Sequence, residues 1–173
     1  MWARVRPGWN PTKAGFPQRR RCFVEYLIRP MERADLEVCA VIEQSAGDPW
    51  SLAQLAEELK NQLAGGASRL FVAQQKDRPV AGLAAWQLAA GEASLYTLTV
   101  APEARRTGAG SALLRRSLEA LRAEGAEVAF LEVRASNAGA IALYEQAGFA
   151  ADGRRPRFYQ NPTEDAVLMH RAL

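Results

Sequence analysis

From Ser94 to Arg134 the chain reads strand, turn, helix, strand, and that order restricts the topology more than any other feature. Ser94 to Val100 alternates apolar and polar residues, Leu114, Leu118 and Leu121 then recur at helical spacing before Gly125, and Val128 to Arg134 is strongly apolar again. A helix between two strands of one sheet is a crossover, so those strands lie parallel. The joint between the first strand and its helix carries Pro102 and then Arg105-Arg106-Thr107-Gly108-Ala109-Gly110-Ser111. The first N–H groups of a helix have no intrahelical partner, the macrodipole adds partial positive charge, and glycines let a ligand approach the backbone closely. This joint is therefore a seat for an anion. A second helix, Asn137 to Ala147, is capped by Ser136 or Asn137 and stopped by Gly148, which completes a βαβα unit.

The preceding chain reads differently. Tyr26 to Arg29 is a short strand ended by Pro30, and a helix capped near Asp35 places Leu36, Cys39, Ala40 and Ile42 on one face until Gly47-Asp48-Pro49. Ser51 with Gln54 three residues later has the form of a capping box, and the helix it opens runs to about Ala64, before Gly65-Gly66. The period then changes to two: Leu70 to Gln74, Val80 to Leu88 and Ser94 to Val100 are strands joined by short turns, an antiparallel meander. Gly82 marks either a bulge or a weak stretch of sheet. Phe158-Tyr159 and Ala166 to Met169 supply closing strands. The expected fold is α/β, with a mixed, mostly antiparallel central sheet flanked by helices.

Composition narrows the function. The chain has 173 residues, of which 49% are hydrophobic and 24% charged, enough for one domain with a sizeable core. No stretch approaches the apolar length of a membrane span and no secretory leader is evident, so membrane partners are not expected and the expected location is the cytoplasm. Cys22 and Cys39 lack metal-ligand spacing, and His170 is the single histidine, which leaves no expectation of a metal or of a histidine-based triad. The net charge of +3 is unevenly spread. Arg4, Arg6, Lys13, Arg19, Arg20 and Arg21 stand against Glu25 alone in residues 1 to 25, which also hold three prolines; the remainder is slightly acidic. Residues 1 to 25 are read as a basic, flexible leader, with an arm toward ribosomal RNA or an acidic partner as the alternative, and 26 to 173 as the functional domain. Direct nucleic-acid binding by that domain is not expected.

The glycine pair fits neither common nucleotide motif. A dinucleotide fold needs a small residue where Leu113 stands, and a P-loop needs Lys-Ser/Thr where Ser111-Ala112 follows Gly110. The wider context is specific. Arg105-x-x-Gly108-x-Gly110 after a strand, then Leu131-Glu132-Val133-Arg134-Ala135-Ser136-Asn137 and Ala140-Ile141-Ala142-Leu143-Tyr144-Glu145-Gln146-Ala147-Gly148-Phe149, resembles the GNAT acyl-CoA-dependent N-acetyltransferases over essentially Tyr26 to Leu173. Within that superfamily the run is similar to the RimI-like branch, which acetylates the N-terminal alanine of a small-subunit ribosomal protein.

The resemblance implies acetyl-CoA as co-substrate and a protein N-terminus, that of a ribosomal protein, as partner. The backbone of Leu98, Thr99 and Val100 is implied to run beside acetyl-CoA at a splayed strand edge, with the Val100 N–H facing the oxyanion. Arg105, Arg106, Thr107, Gly108, Ala109, Gly110 and Ser111 are implied to cradle the pyrophosphate, and Asn137 to meet the pantetheine arm while also serving as an N-cap. Glu132 is the implied general base and Tyr144 the implied general acid. For Glu132 a surface pair with Arg134 stays open, since the two share a strand face, and for Tyr144 core packing beside Ile141 stays open. Asp48-Pro49-Trp50, Glu92 and Tyr159 are candidates for the acceptor groove; Trp50 can equally pack a helix. An α-amine with a pKa near 8 costs roughly 1.4 kcal/mol to neutralise at pH 7, against about 4.6 for a lysine, which favours an α-amine acceptor for a single modest base. A small amine or a lysine is the rival acceptor, and a silent acyl-CoA-binding module the rival of another class.

Overall fold

The computed structural model describes residues 25–173. The expected leader, with Cys22, lies outside the described residues except for Glu25. Seven strands form one sheet: β1 (Leu27–Pro30), β2 (Ser68–Gln74), β3 (Val80–Ala89), β4 (Glu92–Val100), β5 (Val128–Arg134), β6 (Ala150–Tyr159) and β7 (Glu164–Ala172), in the spatial order β1-β2-β3-β4-β5-β7-β6. Helices α1 (Leu36–Glu43) and α2 (Leu52–Leu63) precede the meander, and α3 (Ala109–Ala123) and α4 (Ala138–Gln146) follow β4 and β5. Every strand pairing is antiparallel except β4 with β5, the pair that the crossover requires to be parallel.

Alternation along the central strands feeds two cores. Leu70 and Val72 of β2 and Leu83 and Ala85 of β3 face Cys39 and Ile42 of α1 and Leu55 and Leu59 of α2. Their neighbours Phe71, Ala73, Ala84 and Trp86 point the other way, onto Leu113, Leu114, Leu118 and Leu121 of α3 and Tyr144 of α4. Both faces of the middle of the sheet are thus covered, and each fully buried leucine contributes about 1.5–3 kcal/mol relative to exposure. Burial pushes the Cys39 thiol up to about 12, which marks it as a core residue.

The local signals act largely as read. Ser51 accepts from the Gln54 N–H at 3.3 Å while the Gln54 side chain accepts from the Ser51 N–H at 2.9 Å, a reciprocal capping box. Asp35 differs from the expectation: it makes no side-chain cap on α1 and instead pairs with Arg29 of β1 at 2.7 Å and accepts from the Glu32 N–H. Burial works against that carboxylate, but the Arg29 and Glu32 hydrogen bonds hold it below its ordinary range. Pro30 lies inside β1, paired with Phe71, and is tolerated because β1 is an edge strand. At the opposite edge β6 is far longer than the Phe158-Tyr159 stretch expected; its residues are almost all exposed, so it carries no apolar alternation to read. His170 stands 2.6 Å from Asp152 and links β7 to β6.

Two bulges position the site. The β2–β3 register passes from Ala73↔Gly82 to Gln74↔Val80, so Ala81, beside Gly82, is the extra residue. Gly82 itself is needed for close approach, since a Cβ there would stand 2.8 Å from the Thr99 carbonyl oxygen. On the other side of β3 the register passes from Ala85↔Thr97 to Trp86↔Leu95, leaving Tyr96 of β4 as the extra residue.

Candidate active site

The bulge at Tyr96 coincides with the end of the parallel pairing. β4 and β5 are bonded only from Glu92↔Val128 to Leu95↔Leu131; beyond that point they part, and among the described residues no strand lies opposite the β5-facing edge of Leu98, Thr99 and Val100. A bulge bends its strand and raises the local twist, which is the physical cause of the parting. The result is a gap through the sheet, with Thr97 to Val100 on one bank and Glu132 to Arg134 on the other.

The α3 side of this gap is a helix start that no side chain caps. Gly108 takes φ +101°, a conformation that favours glycine, and forms the N-cap of α3 without any side-chain cap. The early N–H groups, those of Ala109, Gly110 and Ser111, are therefore left for an external acceptor. A Cβ on Gly110 would meet Leu98, Val100 and Leu143 only at 3.5–3.7 Å, ordinary contact, so protein packing does not demand glycine there. The two arginines and Thr107 divide the labour. Thr107 is fixed by bonds to the Ala104 carbonyl at 2.6 Å and Tyr26 at 2.7 Å. Arg105 donates to the Val100 carbonyl at 3.2 Å and to the Ser45 hydroxyl at 3.0 Å, so its side chain braces the loop, while Arg106 (φ +65°) is exposed. Asn137 caps α4 by accepting from the Ala140 N–H at 3.1 Å, on the other side of the gap. Tyr144 is 6% exposed, edge-on to Phe149 at 5.9 Å; burial, reinforced by the neighbouring Tyr159, raises its hydroxyl well above the ordinary tyrosine value.

The opposite side holds charge and aromatic rings. Glu132 lies on that face with Phe130 and Arg134, as alternation requires, and its Oε1 pairs with Arg155 of β6 at 2.7 Å. The open alternative of a Glu132–Arg134 pair is not what forms, because Arg134 turns to Asp48 at 2.9 Å and Glu164 at 3.3 Å. The Arg134 guanidinium also lies 4.4 Å above the Tyr159 ring. Burial first, and then the carboxylates of Glu132 and Asp48, push the Tyr159 hydroxyl up to about 12. Trp50 stands beside the Tyr96 ring, 6.1 Å between centroids. Glu92 is not brought to this cluster: it is exposed at the start of β4, opposite Val128 and away from the bulge.

Three residues beside the gap were missed in the sequence. Glu43, fully buried at the end of α1, accepts from the Trp50 N–H and from the Thr97 hydroxyl, both at 3.0 Å, and so ties the α1–α2 loop to β4. Its position four residues after Cys39 on the buried helix face is the one clue available. Arg155 and Glu164 belong to segments whose pattern says nothing of β5. No helix among the described residues is long and apolar enough to cross a membrane, and no group of three metal-ligating side chains occurs among them.

A gap through a sheet lets an acyl carrier lie on one face while a nucleophile reaches it from the other. The uncapped helix start fits a phosphate-bearing carrier, and the carboxylate face fits an amine. Comparison with known proteins identifies the family. The family model described as Acetyltransferase (GNAT) family matches residues 35–149. The ribosomal protein bS18-alanine N-acetyltransferase of Escherichia coli K12 is 37% identical over 145 residues, 82% of this chain and 94% of that protein. The Haemophilus influenzae protein of the same name is 32% identical over 147 residues, 83% of this chain and 96% of its own. The crystal structure of the Escherichia coli enzyme superposes with a TM-score of 0.76 at 35% identity, over 86% of this chain and 94% of the other.

Proposed function

The chain belongs to the acetyltransferase (GNAT) family, and from that premise we propose that it transfers the acetyl group of acetyl-CoA to the N-terminal α-amine of a protein, a ribosomal protein beginning with alanine. The observation that carries this reading is the parting of β4 and β5, which opens the Glu132 carboxylate face onto the side of the sheet where α3 starts. The names of the 37% and 32% identical relatives support the alanine acceptor. A ribosomal protein as acceptor is consistent with work in the cytoplasm, where ribosomes assemble.

The pyrophosphate is met by the N–H groups of Ala109, Gly110 and Ser111 with Arg106 beside them, and the edge of Leu98 to Val100 with Asn137 lines the path toward the gap. Arg105 and Thr107 hold this loop in shape through their bonds to Val100, Ser45, Ala104 and Tyr26. Acetyl-CoA supplies an activated thioester, which a neutral amine can attack directly. Glu132 has Oε1 engaged by Arg155, so Oε2 is the atom that takes the amine proton. The C–N bond forms first, as the amine adds to the carbonyl; the C–S bond then breaks, and Tyr144, kept protonated by burial, gives its hydroxyl proton to the departing sulfur and takes one back from solvent before the next turnover. The acceptor side carries the carboxylates of Asp48, Glu132 and Glu164 against the guanidiniums of Arg134 and Arg155, a net negative surface that attracts an incoming ammonium. Trp50, Tyr96 and Tyr159 provide apolar walls for the first side chains of a peptide.

A thiol-release assay with acetyl-CoA and short peptides varied at their first two residues tests the reading. Turnover on peptides beginning with alanine, abolished by blocking the α-amine, is expected. Turnover confined to polyamines or lysine side chains replaces the acceptor, and acetyl-CoA affinity without turnover on any amine overturns the activity.

A further inference from the structure

Arg134 is unusual in how completely its guanidinium is used. A guanidinium has five N–H donors, and all five have acceptors here. Nε donates to Asp48 Oδ2 at 3.0 Å, and one terminal nitrogen to Asp48 Oδ1 at 2.9 Å and the Gln160 carbonyl at 3.1 Å. The other terminal nitrogen donates to the Pro162 carbonyl at 3.2 Å and Glu164 Oε2 at 3.3 Å. The side chain is 13% exposed and its flat face covers the Tyr159 ring. These acceptors come from two segments, the α1–α2 loop and the β6–β7 turn, 86 and 26 to 30 residues away in sequence. Both segments border the acceptor side of the gap: the first carries Trp50 two residues beyond Asp48, the second begins at Tyr159. Glu164 continues the chain of contacts by accepting from the Ser136 N–H, just before the cap of α4. None of the five bonds touches the loop that opens α3.

We propose that Arg134 is the positioning residue of the acceptor groove: it holds the Asp48–Trp50 segment and the Tyr159–Glu164 turn at fixed separation on either side of Glu132, and so sets affinity for the acceptor without affecting acetyl-CoA. The proposal rests on the reading of the β4–β5 gap as the place of acetyl transfer. A lysine keeps the charge but has three donors on a single atom, so it cannot satisfy acceptors spread around a planar fork. A methionine removes them all.

The test compares wild type with Arg134→Lys, Arg134→Met and Asp48→Asn in steady-state acetylation of an alanine-starting peptide, together with amide hydrogen exchange across the whole chain. The expected result is a rise of about tenfold or more in acceptor KM for both Arg134 variants, with a smaller rise for Asp48→Asn and the KM for acetyl-CoA unchanged. Faster exchange is expected in both the 44–51 and 159–165 segments, with α3 unaffected. Asp48→Asn combined with Arg134→Met should raise the acceptor KM by less than the product of the two single effects, because both break the same tether. Equal losses in kcat and in both KM values, with faster exchange throughout the sheet, would mean a general structural role and overturn the proposal; so would unchanged exchange in either segment. A wild type inactive on every α-amine peptide defeats the functional reading instead, and the exchange data then still decide whether Arg134 tethers both segments.

Discussion

Glu132 and Tyr144 lie on opposite faces of the sheet, one paired with a guanidinium and the other packed in the core, and each tolerates an isosteric change that isolates its proposed role. Glu132→Gln should lower kcat by about 10²–10⁴-fold while the Kd for acetyl-CoA, read by calorimetry, stays within about twofold. Tyr144→Phe keeps the ring against Phe149 and should reduce kcat with little change in melting temperature. An unchanged kcat in Tyr144→Phe would leave core packing as the whole of its job. Burial also fixes a sign: with Tyr144 raised and Tyr159 at about 12, neither loses its proton in the working range. The kcat profile should thus show no descending limb from either tyrosine below about pH 10, and a limb that vanishes in Tyr144→Phe would contradict this. Glu132 was legible as a lone carboxylate within an apolar run. Glu43 was not, because its partner Thr97 lies 54 residues away and its place on the buried face of α1 says only that it is inside, not what it binds.

Among elements, the strands and helices follow their own sequences where one face meets a core, and depart from them at edges. The capping box of α2 and the glycine stops after α2, α3 and α4 formed as read, with Gly65, Gly125 and Gly148 at positive φ, whereas α1 ends at Glu43, short of the expected stop at Gly47. Asp35 makes no side-chain cap on α1 and pairs instead with Arg29, six residues earlier in β1, a contact set by the turn between them and not by helix periodicity. Its folded pKa is depressed, so its contribution to stability is present above the ordinary value of 3.8 and is lost as pH falls through the lower folded value. Urea midpoints should therefore drop as pH is lowered from about 5 to 3, and Asp35→Asn should flatten part of that slope. Gly82 offers a second test. A Cβ there collides with the Thr99 carbonyl, backbone that cannot swing away, and Gly82→Ala should cost about 1–3 kcal/mol by overpacking, measured by urea denaturation. It should also weaken acetyl-CoA binding, because the displaced strand is the one that borders the gap.

For the molecule as a whole, the gap costs sheet hydrogen bonds between β4 and β5, and a ligand that fills it repays part of that loss. Acetyl-CoA at about 100 times its Kd should add about 2.7 kcal/mol of apparent stability, seen as a raised melting temperature, and Gly108→Ala should abolish most of the shift. No shift with wild type would remove acetyl-CoA as the ligand. The order of elements, the one parallel pair and the glycine start of α3 were determined by sequence alone, because periodicity, capping and glycine conformation act over a few residues; Glu132 and Tyr144 became candidates for general base and general acid through the family resemblance and not through any local rule. The partners of those groups were decided by tertiary structure. Arg134 with Asp48 and Glu164, Glu132 with Arg155, Glu43 with Thr97, and the placement of Glu92 away from the gap all depend on which strands lie side by side and where a bulge parts them. Side-chain pairing across a sheet is a matter of register, and register is set by the packing of the whole domain.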